Sequence, residues 1–415
     1  MGLAPDHLRR EALNAPLHIA LLTGGNDKHY AVALASALRS RGVLVDFIGS
    51  TDLDCEELHE PGIRFLDLRG EQNEDASWSR KVRRILAYYF RLIAYAASAK
   101  PQVFHILWNN KFDLFDRTLL MAYYRLLGKR VAFTAHNVNA AQRDSRDGWL
   151  NRLSLRIQYT LCDCIFVHTA RMKQELVESF GIQPDVVEVI PYGINVTIPT
   201  SGLTAHEARE QLGLADADRV LLFFGQIAPY KGLDLLLDAL RTLAPVDGRL
   251  RLVIAGKVKQ GWGEYWRGIQ AALDDPRIRD RVVPRIQFIA DEEIEQYFKA
   301  ADVLVLPYTD IFQSGVLFLA YSFGLPVIVT DVGSLRESVI EGKTGLVCPP
   351  RDPSALARTI ERYFATDIYG RLDVGRDAIR QAASSSHSWA EVSEITEGAY
   401  VRMLPAGIRG EALRA

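Results

Sequence analysis

Residues 306–337 read LPYTDIFQSGVLFLAYSFGLPVIVTDVGSLRE. The apolar start, the polar TDIFQ, the run GVLFLAYS, and the second apolar stretch LPVIVT predict strand, loop, helix, strand and loop. Gln313, Ser314 and Gly315 stand where the helix begins. Three readings of that QSG are open: a turn whose free amides hold an anion, a plain helix cap, or the worn remains of a catalytic motif.

The same alternation extends in both directions. Upstream, strands are expected at 17–22, 43–49, 63–68, 102–108, 130–136, 164–169 and 187–191. They recur at 219–225, 250–256, 285–290, 302–308, 325–330 and 344–349. Most are apolar throughout, as parallel strands covered on both faces must be. Strands alternating with helical segments, in two successive series, predict an α/β chain of two doubly wound sheets. The length of 415 residues suits two domains better than one core. Pro, Gly, Ser and Thr cluster in PYGINVTIPTSGLT before a fresh helix that Thr204 can cap. The expected domains are 1–198 and 199–384, with 385–415 a C-terminal helix packing back on the first.

Composition excludes several classes. The chain is 48% hydrophobic and 24% charged with net charge −2, which lacks the basic excess of a non-specific nucleic-acid binder. No apolar run reaches the roughly 20 residues of a membrane span, and MGLAPDHLRREALNAP is too polar for a secretory signal, so a cytoplasmic location is expected. Cys55, Cys162, Cys164 and Cys348 fit neither a disulfide framework nor zinc spacing and read as buried thiols.

Ligands of open α/β sheets sit outside the carboxyl ends of the strands, so the loops there are the candidates. Gly24 and Gly25 follow the first strand, as a tight turn or as a close approach to a polar ligand. His136 ends the strand RVAFTA beside Asn137. Gly225 and Gln226 end RVLLFF, and Lys231 opens the next helix, where a cation beside free amides suits phosphate. Ser314 and Gly315 form a second such place. Two anion-suited loops in one half imply one ligand with at least two phosphates.

In this order, LHIALLTGG, TAHN, VHTARMKQEL, VIPYGIN, FFGQIAPYKGLDLLLDAL, AADVLVLPY, FGLPVIVTDVGSLRESVIEGKTGLVCPPRDP and HSWAEVSE resemble the retaining glycosyltransferases of family 4 over nearly the whole chain. That resemblance implies the GT-B fold, two Rossmann-like domains facing each other across a crevice. It implies a nucleotide-diphosphate sugar as co-substrate, UDP favoured over GDP, no cofactor and no metal, and a saccharide or lipid-linked acceptor. His136 and Lys231 then take the catalytic roles, with Gly24, Gly25, Gly225, Gln226, Lys231, Gln313, Ser314 and Gly315 on the donor.

Gln226 departs from the family's usual arginine, and Ile311 and Leu319 from its two glutamates. The QSG…LAYSFGLPVI form is similar to a recurring variant, which implies a subgroup. Asp310 and Gln313 are the nearest polar groups left for the donor. The losses keep a second reading open: a non-catalytic or regulatory GT-B protein that needs a partner subunit. Segments 78–100 and 116–130 are rich in basic and aromatic residues. They read either as sheet-packing helices with a basic outer face or as peripheral contacts with the inner face of an anionic membrane.

Overall fold

The computed structural model describes residues 16–24, 27–72, 77–139, 141, 147–194 and 201–405. Gly25 and the expected 198/199 boundary lie outside the described residues. The chain divides into two compact units, Met1–Gly193 with Ser388–Ala415, and Ile194–His387.

The first unit holds β1 (His18–Leu22), β2 (Leu44–Gly49), β3 (Ile63–Asp67), β4 (Val103–Ile106), β5 (Arg130–Thr134), β6 (Cys164–Val167) and β7 (Val187–Val189). They form one parallel sheet in the order β3-β2-β1-β4-β5-β6-β7. The second unit holds β8 (Arg219–Phe224), β9 (Leu250–Ala255), β10 (Val282–Arg285), β11 (Val303–Leu306), β12 (Val327–Thr330) and β13 (Gly345–Cys348), ordered β10-β9-β8-β11-β12-β13 and again parallel. In each sheet the order reverses once, between β1 and β4 and between β8 and β11. The crossovers on either side of such a point leave in opposite directions and open a space at the carboxyl ends.

The helices that position the site are α1 (Lys28–Ser40), α2 (Trp78–Ser98), α3 (Met121–Leu126), α4 (Trp149–Leu161), α5 (Ala170–Phe180), α6 (Ala205–Leu212), α7 (Leu233–Leu243), α8 (Gly263–Leu273), α9 (Asp291–Ala300), α10 (Gly315–Ser322), α11 (Pro353–Phe364), α12 (Leu372–Ser386) and α13 (Trp389–Met403). On α7, Leu233, Leu236, Leu237, Leu240 and Leu243 repeat at helical spacing and are all buried, in one core with Phe223, Val305 and Ile360. The run of α10 is apolar on every side, and Leu317, Phe318, Ala320 and Tyr321 are buried. Thr204 caps α6 in a reciprocal capping box with Glu207.

Helix α13 completes the first unit. Val392, Ala399, Tyr400 and Met403 share a core with Leu34, Leu38, Phe47 and Phe166. Its Tyr400 hydroxyl lies 2.6 Å from Nδ1 of the fully buried His105, whose Nε2 is 2.7 Å from Thr134 Oγ1. The helix begins at Trp389, with the Ser388 hydroxyl accepting from the Ala390 amide; residues 384–386 close α12 instead.

One expected strand is displaced. Residues 286–290 are irregular, and the ladder with β9 runs over Val282–Arg285. Pro284 is tolerated there because β10 is the outer strand of its sheet, where a missing amide breaks no ladder. Of the cysteines, Cys162, Cys164 and Cys348 are buried, Cys55 is half-buried, and all four are free thiols.

Candidate functional site

The second unit gathers its candidates at the switch between β8 and β11. Gly225 directly follows β8; a Cβ placed there would lie 3.5 Å from Val316 Cγ2 and 4.0 Å from Lys231 Nζ. The end of the strand, the lysine and the start of α10 therefore converge. Gly232, which follows the lysine, has φ +66°, and a Cβ on it would come within 2.0 Å of the Pro307 carbonyl oxygen. Only glycine lets this turn lie against the end of β11.

Lys231 is 7% exposed. Its ammonium donates to the Tyr308 hydroxyl at 2.5 Å and sits 4.2 Å from the centre of that ring. The Tyr308 hydroxyl lies 3.4 Å from Ser314 Oγ. A chain of polar atoms thus runs from lysine through tyrosine to the serine ahead of α10. Burial raises the Tyr308 pKa above its ordinary value, so the phenol stays protonated.

Ser314 is the residue before α10, yet its side chain makes no capping bond. The plain-cap reading of QSG fails on this geometry. The amides of the first turn lack intrahelical acceptors by construction, and the helix dipole adds positive potential there. Gly315 is exposed, Gln313 is half-buried, and the Gln313 side-chain oxygen is buried with no hydrogen-bond partner among the described residues. Gln226 is exposed, as is Asp310. Ile311 is buried and Leu319 half-buried, so aliphatic carbon occupies both glutamate positions.

In the first unit His136 follows β5 and forms part of an aromatic cluster at the carboxyl ends. Its ring stacks on Trp108 with centroids 4.3 Å apart and planes 4° apart. Tyr30 meets it edge-on at 4.8 Å. His136 Nδ1 and His168 Nε2 are 3.0 Å apart, one donating and the other accepting. Burial first, then His168 and His105, hold the His136 pKa well below the usual range, so the ring is neutral at physiological pH. Its Nε2 has no hydrogen-bond partner among the described residues. Tyr192 and Trp389 close the cluster around Tyr30 at 5.3 and 5.1 Å. The Tyr192 hydroxyl donates to Asp27, whose other oxygen accepts the Tyr30 amide at the start of α1. Gly24, at φ +60°, lies against the loop after β4: a Cβ there would be 2.5 Å from the Trp108 carbonyl oxygen.

Tyr308, Trp108, His168, Tyr192 and Trp389 were not among the expected residues. The first four stand at or just past strand ends, where the rule that singles out His136 applies to them equally. Trp389 arrives from the far end of the chain and carries no local signal.

Residues 28–198 match the family described as Glycosyltransferase Family 4, and residues 218–366 match Glycosyl transferases group 1. One such domain on each of two doubly wound parallel sheets makes the protein a glycosyltransferase of the GT-B fold. Among curated relatives it is 26% identical over 396 residues to the D-inositol 3-phosphate glycosyltransferase of Corynebacterium jeikeium, covering 92% of this chain and 93% of the other. A sucrose-phosphate synthase from Thermosynechococcus elongatus shares the fold, with TM-score 0.73 at 21% identity over 93% of this chain and 99% of that one. So does the Anabaena protein HepE in complex with UDP-glucose, with TM-score 0.68 at 17% identity over 92% and 99%.

Proposed function

We propose that the protein transfers a sugar from a UDP-sugar to an acceptor hydroxyl with retention of configuration and without a required divalent metal. The observation that carries this reading is the buried Lys231 ammonium beside the uncapped start of α10. That pair, with Gly225 leaving room between them, fits a donor diphosphate. The Gln313 side-chain oxygen is a buried acceptor suited to a hydroxyl of the donor. Neither role needs the glutamates replaced by Ile311 and Leu319. The HepE protein is described with UDP-glucose, which favours uridine for the base.

In the transfer the anomeric carbon loses its bond to the diphosphate oxygen and gains one to the acceptor oxygen on the same face. The acceptor proton passes to the departing phosphate. Lys231 and the α10 amides stabilise the charge that develops on the leaving group. His136, neutral and fixed by its stack on Trp108, orients the transferred sugar without opposing positive charge at its anomeric carbon.

Acceptor binding falls to the first unit, and the acceptor is a saccharide or a lipid-linked saccharide. Between Trp78 and Arg130 the sequence carries eleven lysines and arginines against two aspartates. Phe90 of α2 is 75% exposed and Leu126 of α3 86% exposed. Exposed apolar side chains among cations fit peripheral contact with anionic lipid. No helix among the described residues is long and apolar enough to cross a membrane. Co-sedimentation with phosphatidylglycerol vesicles, against phosphatidylcholine vesicles, tests the contact; equal partition rejects it.

The transferase reading is tested by thermal shift with UDP, GDP and ADP, followed by UDP-sugar turnover in EDTA. Stabilisation by UDP and consumption of a UDP-sugar with the anomeric configuration kept is the expected result. No stabilisation by any nucleotide would turn the assignment to a non-catalytic GT-B protein acting with a partner subunit.

A further inference from the structure

A cavity of about 90 Å³ lies within the first unit, lined among others by Arg69, Arg84, Tyr88, Tyr89, Asn110 and Lys111. Arg69 belongs to the loop after β3, Asn110 and Lys111 to the loop after β4, and the other three to α2 between its second turn and its middle. All of these lie at the carboxyl edge of the sheet. The loop after β4 also carries Trp108, on which His136 stacks.

Three cations face this space, and no carboxylate lines it among the described residues. Several arginines of the unit are matched to acids, as Arg64 is to Asp46 and Arg130 to Asp163. Arg69 instead rests its guanidinium over the Tyr88 ring, 5.3 Å from the centre. One of its terminal nitrogens, Nη1, is buried without a hydrogen-bond partner among the described residues. A buried guanidinium nitrogen left unbonded is costly unless a ligand supplies the acceptor. Arg84 spends one donor on the Glu71 carbonyl oxygen at 2.8 Å and keeps the rest of its fork. Asp116, bonded to two of the lining residues, is buried and already accepts from the Tyr89 hydroxyl at 2.9 and 3.0 Å and from the Asn110 amide at 3.2 Å. Asn110 in turn accepts from the Tyr88 hydroxyl at 2.6 Å. The polar wall is fixed, and among the described residues no carboxylate pairs with the positive charge above it.

We propose that this cavity is the subsite for a phosphate carried by the acceptor, held by the forks of Arg69 and Arg84 and by the Lys111 ammonium. The proposal rests on the assignment of the donor to the second unit and the acceptor to the first. A sugar phosphate and a lipid-linked phosphate share the chemistry that the three cations read. Phe112, half exposed and stacked on Tyr89 at 5.6 Å, adjoins the cavity on the side where a lipid chain would leave.

The test is calorimetry on the full chain with UDP saturating, using glucose 6-phosphate and farnesyl diphosphate as probes and glucose and farnesol as controls. At least one phosphorylated probe should bind and its unphosphorylated control should not. Arg84→Gln and Lys111→Gln, on partly or fully exposed side chains, should each weaken that binding tenfold or more, with melting temperature unchanged. Lys231→Met should leave it intact, which separates this cavity from the donor site. Binding of glucose 6-phosphate marks a soluble sugar phosphate as the source, and binding of farnesyl diphosphate alone marks a lipid-linked one. The proposal is overturned if neither phosphorylated probe binds, or if both variants bind as the parent does. UDP binding retained alongside that failure would overturn the subsite and leave the transferase reading standing.

Discussion

Replacing Lys231 by methionine keeps the length of the side chain and removes its charge. The ammonium is buried, bonded to Tyr308, and 4.0 Å from a Cβ placed on Gly225, beside the position proposed for the donor diphosphate. A hydrogen bond to a charged group contributes about 1.5–3 kcal/mol net. At about 1.4 kcal/mol per decade, the variant should bind UDP roughly ten- to a hundredfold more weakly. Bare Coulomb attraction at 4 Å and an effective dielectric of 20, about 4 kcal/mol, sets the upper bound. The unliganded fold should lose little, because an apolar chain of equal length replaces a charge already withdrawn from water. Calorimetry with UDP and with uridine reads both halves of the claim. Uridine lacks the diphosphate, so its affinity should be unchanged. Equal weakening of UDP and uridine would show that Lys231 only shapes the turn, and no change in either would place the diphosphate elsewhere.

Three further outcomes follow from the same geometry. Gly333→Ala puts a methyl 1.8 Å from the Ile311 carbonyl oxygen, just ahead of Ser314, so UDP affinity should fall with the melting temperature; a full-affinity variant would separate that loop from the donor. Tyr308→Phe removes the hydroxyl that links Lys231 to Ser314 and should raise Kd for UDP severalfold while leaving uridine alone; an unchanged Kd for UDP would remove the tyrosine from the site. Trp108→Ala strips the face on which His136 stacks, and should lower turnover of a UDP-sugar more than UDP binding; equal losses would make the stack merely structural.

The sheets were legible because parallel strands are apolar on both faces, and stretches such as VLVL at 303–306 announce themselves. The strand misplaced at 285–290 shows the limit of that signal. RIQFIA is apolar enough for a strand, whereas the true strand VVPR contains a proline that only its outer position permits. The residues that meet at the switch between β8 and β11 were legible for a related reason: Gly225, Lys231 and QSG are local signals between each of those strands and the helix that follows it. The aromatic cluster was not, since Tyr30, Trp108, His168, Tyr192 and Trp389 are spread along the chain and meet only through the order of the strands. The pairing of His105 with Tyr400 is equally invisible beforehand, 295 residues separating the two.

That pairing makes stability depend on pH in a direction that can be fixed. Burial pushes the His105 pKa down to about 3, against about 6.5 for an exposed histidine. The folded chain therefore excludes a proton that the unfolded chain binds between these values. Stability is constant above the unfolded pKa and falls as pH drops below it, continuing until the folded pKa is reached. At pH 5, about 1.5 units below the unfolded value, the loss is about 2 kcal/mol. His136, depressed in the same sense, adds to it. In His105→Gln the amide can still meet Tyr400 or Thr134 but cannot titrate, so the variant starts less stable and loses less on acidification. Urea midpoints of parent and variant at pH 7.5 and 5.0 measure the difference of the two losses. An identical fall in both would mean that other groups govern the acid limb and that the last helix is not held to β4 by a neutral histidine.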